Sequence, residues 1–169
     1  MRIPGKAVFV IAPIAIAAVV VWLVTQDWDQ RRIRKNLDRL AAAVYKPRGA
    51  VIEGMDLFKR VAIIQSMFTT DCVISAGEPA PEMKGTEELC GLFAQGIKTV
   101  KELKILFKDV SVTVAPDHLS AAATMTVEAI GEDFSEGKRK FDAREVEAAW
   151  KKIEGKWKIA EVKEVQTLH

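Results

Sequence analysis

From Ala7 to Val24 the chain is apolar without interruption, and charged residues return only after Thr25. At a rise of 1.5 Å per residue these eighteen positions reach about 27 Å, close to the roughly 30 Å hydrocarbon core of a bilayer. Arg2 and Lys6 precede the run, and Trp22 and Trp28 stand where interfacial aromatics belong. The pattern predicts a tail over 1–6, a transmembrane helix over 7–24, a juxtamembrane linker over 25–28 and a single domain over 29–169. The exit from the run, Trp22 to Asp27, offers no small-x-small cleavage site, which favours an uncleaved anchor over a signal peptide.

Beyond the linker the period changes twice. Ile33, Leu37, Leu40, Ala41 and Val44 recur at helical spacing between Asp29 and Tyr45, with charges on the other positions. Pro47 and Gly49 end that helix. A second apolar stripe, Leu57, Val61, Ile64 and Phe68, predicts a helix over Met55 to Phe68, followed by a short strand at Cys72 to Ser75. Gly77, Pro79 and Pro81 mark a loop. Thr86 is placed to cap a third helix, with Glu87 and Glu88 in the first turn suiting the helix dipole. From Leu103 the pattern turns to strands over 103–115, 119–132, 138–155 and 156–167. The turns between them are read at Pro116-Asp117-His118, at Gly131 to Gly137 and at Glu154-Gly155-Lys156. Consecutive strands after helices predict an α+β fold with an antiparallel meander.

Composition narrows the functions. A chain of 169 residues has room for one anchor and one domain. Its formal net charge of +2, with charged residues at 28%, gives no field suited to nucleic acid. Arg31, Arg32, Arg34, Lys35 and Arg39 outnumber the basic residues before the anchor, which by itself would retain the domain in the cytoplasm. Asp27 and Asp29 come first after the membrane, and the basic cluster falls on the polar face of an amphipathic helix. We therefore expect an inner-membrane, single-pass protein with an exported, periplasmic domain. Two cysteines and two histidines, Cys72, Cys90, His118 and His169, lack the clustering of a metal site, and no metal or cofactor is expected. The thiols are expected to pack free in the core, and an oxidising compartment would also permit a disulfide between them.

The order of elements, together with Met67-Phe68-Thr69-Thr70-Asp71 before an apolar strand, Lys84-Gly85-Thr86-Glu87-Glu88-Leu89 and the closing VEAAWKKIEGKWKIAEV, resembles the nuclear transport factor 2-like superfamily. That group has a cystatin-like cone fold and includes SnoaL-like polyketide cyclases and ketosteroid isomerases. The resemblance covers about residues 29 to 168 and implies three helices packed on a curved antiparallel sheet, an apolar pocket at the open end of the cone and face-to-face homodimers. Ketosteroid isomerases carry a general base early in the first strand, where this chain reads Val73-Ile74-Ser75-Ala76, which holds no suitable proton acceptor.

No catalytic residue is assigned. Asp71 is read as a turn residue rather than a base. Glu128, Arg144, Glu145 and Glu147 fall on strands and could place a charge in the pocket, although alternation makes the outer face equally available. Trp150 and Trp157 flank the last hairpin and read as core before ligand wall. Glu128, Arg144 and Trp150 are the candidate ligand-binding residues. The chain contains no Gly-rich phosphate loop and no nucleophile elbow, so enzyme status has no positive support. The expected function is a membrane-anchored, non-catalytic binding or assembly module for an envelope partner protein or an apolar small molecule. The alternative is a SnoaL-like enzyme of isomerase or cyclase type.

Overall fold

The computed structural model describes residues 27–77, 82–133 and 138–165. Helix α1 occupies 27–44. It is followed by α2 (Gly54–Met67), β1 (Phe68–Ser75), β2 (Met83–Lys84), α3 (Thr86–Thr99), β3 (Val100–Val114), β4 (Ser120–Asp133), β5 (Arg139–Ile153) and β6 (Lys156–Glu164). The six strands form one curved sheet in the order β2-β1-β6-β5-β4-β3. Three helices on such a sheet make the α+β arrangement expected from the sequence. The anchor predicted over 7–24 lies outside the described residues. Among the described residues no helix is long and apolar enough to cross a membrane.

Alternation explains how the sheet holds its helices. Ala121, Ala123 and Met125 of β4 and Ala148 and Trp150 of β5 face inward and are buried, meeting Ile33 and Leu37 of α1. Small residues at 121, 123 and 148 leave room for the helix, and Trp150, 1% exposed, fills the space beside them. Asp109, at φ 52, marks a break in register between Lys108 and Ser111, and such a bulge bends β3 around the helix. The β5–β6 turn places Glu154 at φ 49 and Gly155 at φ 75, the two positive values that a tight two-residue hairpin requires. Both Cys72 and Cys90 are free and buried in the same core.

Four expectations need correction. The first strand begins at Phe68 rather than Cys72, so Asp71 sits inside a strand, exposed, and not in a turn. Thr86 is the first residue of α3 rather than its cap. Gly85 at φ 85 takes that place, and the Glu88 carboxylate accepts the Lys84 N–H at 2.8 Å. Gly131 lies within β4 opposite Leu103 and Lys140, not in a turn. Finally, β1 runs parallel to β6, a pairing that no adjacent hairpin would produce, and two-residue β2 adds to its far edge.

Candidate functional site

A cavity of about 440 Å³ opens between α1, α3 and the concave side of the sheet. Its walls are aliphatic and aromatic. Leu37, Leu40 and Val44 come from α1, Leu89 and Phe93 from α3, and Ile105, Phe107, Met125, Val127 and Val146 from the strands. These positions follow from periodicity, since 125, 127 and 129 share one side of β4, and 144, 146 and 148 share one side of β5.

Among the described residues the polar lining is confined to Ser75, Asp142, Arg144 and Glu164. Arg144 organises that group. Its Nε donates to Asp142 at 2.9 Å, and its Nη1 donates to Glu164 at 3.0 Å and to the Ala76 carbonyl at 2.7 Å. Asp142, first, and then Glu164 raise the guanidinium's pKa further, so the charge is permanent. The side chains of Asp142, Arg144 and Glu164 are 60%, 40% and 28% exposed, which places the cluster where the cavity meets solvent. Gly77 at φ 75 packs against the Glu164 carboxylate, where a Cβ would collide. With one cation and two carboxylates among the described residues that line it, the mouth carries an excess of negative charge.

Of the candidate residues, only Arg144 reaches this cavity. Glu128 faces the opposite side of β4, where it pairs with Lys108 at 2.8 Å. Glu145 is exposed on the outer side of β5, and Glu147 pairs with Lys163 at 3.5 Å. Trp150 is core rather than cavity wall, and among the described residues its indole nitrogen has no hydrogen-bond partner. Asp71 is exposed and does not line the cavity. His169 lies outside the described residues.

A second polar assembly lies beyond the cone. Asp29, 5% exposed, accepts the Trp157 indole N–H at 2.9 Å and the Lys152 ammonium at 3.0 Å, and meets His118 Nδ1 at 3.1 Å. The Lys152 ammonium also stands 5.2 Å from the Trp157 ring. The turn reading of His118 holds, with φ at 54 and its N–H on the Ala115 carbonyl. Sequence reasoning did not find this assembly. The one signal was position, since Asp29 stands four residues before Ile33 on the apolar stripe of α1.

No protein-family model matches the chain, and no curated protein matches it. Solved structures do. A candidate aromatic ring hydroxylase from Novosphingobium aromaticivorans superposes with a TM-score of 0.66 at 15% identity, over 83% of this chain and 90% of that one. A candidate scytalone dehydratase from the same organism gives 0.64 at 15%, over 82% and 83%. A nuclear transport factor 2-like superfamily protein from Salmonella enterica gives 0.66 at 11%, over 85% and 94%. The fold is therefore the nuclear transport factor 2-like, cystatin-like cone. At these identities the likeness is one of fold, and it leaves open whether the cone binds or catalyses.

Proposed function

We propose that the chain is a membrane-tethered binding module whose cone holds a neutral, apolar small molecule without transforming it. The observation that carries this reading is the division of the cavity into apolar walls and a polar mouth. Burying an apolar ligand against such walls is favourable at about 25 cal/mol per Å². A proton-transfer reaction would need an unengaged acceptor within reach of the substrate. Both carboxylates at the mouth are engaged by Arg144, and among the described residues no histidine lines the cavity. The surplus negative charge disfavours a carboxylate ligand and suits a hydroxyl head, which can donate to Asp142 or Glu164. The segment 7–24 would supply the tether, with the domain on the periplasmic side, raising its concentration near membrane-derived ligands. A homodimer across the outer sheet face belongs to the same proposal, supported by the small exposed residues Ala122, Thr124 and Ala143 there.

A second reading, an enzyme acting on an apolar substrate in the same cone, draws on Asp142 and Glu164 at the mouth and on the fold neighbours named as dehydratase and hydroxylase candidates. The two readings part on turnover. The full chain incubated with 1-dodecanol and released from micelles in a native mass spectrometer should carry one alcohol adduct. Replacing Ala129→Phe, which fills the cavity, should remove it. An adduct undiminished in the variant, or absent from the parent chain, would exclude the cone as the binding site.

A further inference from the structure

The cationic side of α1 faces a groove that the cone does not use. Trp28, Arg32, Lys35 and Arg39 follow at i, i+4, i+7 and i+11, so they stand one above another along one side of the helix. The β5–β6 turn brings Gly155 and Lys156 to the opposite bank, and Ser66 and Met67 close the end, giving a groove of about 440 Å³. Arg32, Lys35, Arg39 and Lys156 line it, and among the described residues no carboxylate does.

Neighbouring cations are neutralised while these are not. Arg31, on the next face of the same helix, pairs with Asp27 at 3.5 Å, and Lys152 pairs with Asp29 at 3.0 Å. Among the described residues Lys35, Arg39 and Lys156 form no ion pair, and Arg32 rests against the Trp28 ring at 6.0 Å. The neutral groups in the groove are already committed as donors. The Asn36 amide is on the Trp157 carbonyl at 3.1 Å and the Ser66 hydroxyl on the Ile63 carbonyl at 2.7 Å. A cluster of four cations from two distant parts of the chain, with no acid among them, is complementary to a multiply oxygenated anion.

We propose that this groove binds the phosphate of an anionic phospholipid headgroup. What adjoins the groove favours a lipid source. Trp28 is 61% exposed at the end of the same stripe, as an interfacial ring would be, and the apolar sequence 7–24 precedes the helix. The anion chemistry stands on the groove alone, and only the membrane source rests on the tether proposed above.

The test uses the full chain in maltoside micelles, with the Gly155 amide and Trp157 indole resonances as reporters. Short-chain dihexanoyl phosphatidylglycerol should shift both saturably, whereas dihexanoyl phosphatidylcholine, with the same tails and no net charge, should not. The double reversal Lys35→Glu with Arg39→Glu should weaken the response about tenfold or more, and Lys156→Glu should weaken it independently. Lys59→Glu with Lys98→Glu, exposed on α2 and α3, should leave it unchanged. Equal shifts with both lipids, or none with either, would overturn the site. Inorganic phosphate matching phosphatidylglycerol at equal concentration would overturn the lipid assignment in favour of free phosphate. Carbonate extraction of the chain from membranes reports separately on the tether.

Discussion

Asp29 accepts the indole N–H of Trp157 at 2.9 Å across 128 residues of sequence, fastening the first helix to the last strand of the sheet. Without its carboxylate, a buried N–H and an ammonium would both lose their acceptor. Asp29→Ala should therefore lower stability by about 2–4 kcal/mol, whereas Trp157→Phe, which removes one donor and leaves a small void where the five-membered ring lay, should cost about 1–2 kcal/mol. Urea unfolding followed by circular dichroism measures both. Equal losses for the two would mean that packing of the indole, not the polar assembly, does the fastening.

The same carboxylate makes stability depend on acid. Burial alone would raise its pKa, but the hydrogen bonds from Trp157, Lys152 and His118, together with the Lys152 charge, outweigh burial and hold it below the ordinary value. As pH falls, the unfolded chain takes up this proton before the folded chain does. The contribution is thus complete above about pH 4 and is lost below it, as the folded group titrates. Between about pH 5 and pH 2 the stability of Asp29→Asn should fall less steeply than that of the parent chain. Parallel slopes would show that other carboxylates carry the acid dependence.

Gly77 and Gly155 both sit at φ 75, yet only Gly77 has a neighbour where a side chain would go, the Glu164 carboxylate. Alanine at either position meets the same backbone strain, about 1–2 kcal/mol. Gly77→Ala should add displacement of Glu164 from Arg144, and so release the adduct seen in native mass spectra more readily than Gly155→Ala does. Identical adduct retention in both variants would show that the ion-paired mouth does not govern the cavity.

Burial first, then the charge of Asp71 and the neighbouring Cys90, pushes the Cys72 thiol up, and burial does the same to Cys90. Neither thiol is a ready nucleophile. Iodoacetamide at neutral pH should modify the native chain at least about tenfold more slowly than the urea-unfolded chain. Native alkylation at the unfolded rate would place a thiol at the surface.

What could be read in the sequence follows the length of each periodic signal. The α1 stripe from Ile33 to Val44 and the four long strands are repeated patterns, and the Glu154-Gly155 turn has few alternatives, so these were legible. Arg144, Glu128 and Glu145 were not separable, because alternation states that 144 and 145 face opposite ways and not which way is in. That choice is set by α1 lying over the side that carries Ala148 and Trp150. Two-residue β2 has no period to detect. The β1–β6 pairing and the Asp29 assembly depend on residues about 90 to 130 apart, which local pattern does not connect.

The parallel pairing of Phe68 with Ile159 also sets a schedule. About 90 residues must leave the ribosome between these two partners, which at 5–20 residues per second takes roughly 5–18 s. Throughout that interval the apolar side of α1 and the inner face of β1 lack the strand that completes their cover. A nascent chain stalled before Trp157 would present that surface, together with an unpaired edge of β1, to whatever chaperone or neighbouring chain lies closest.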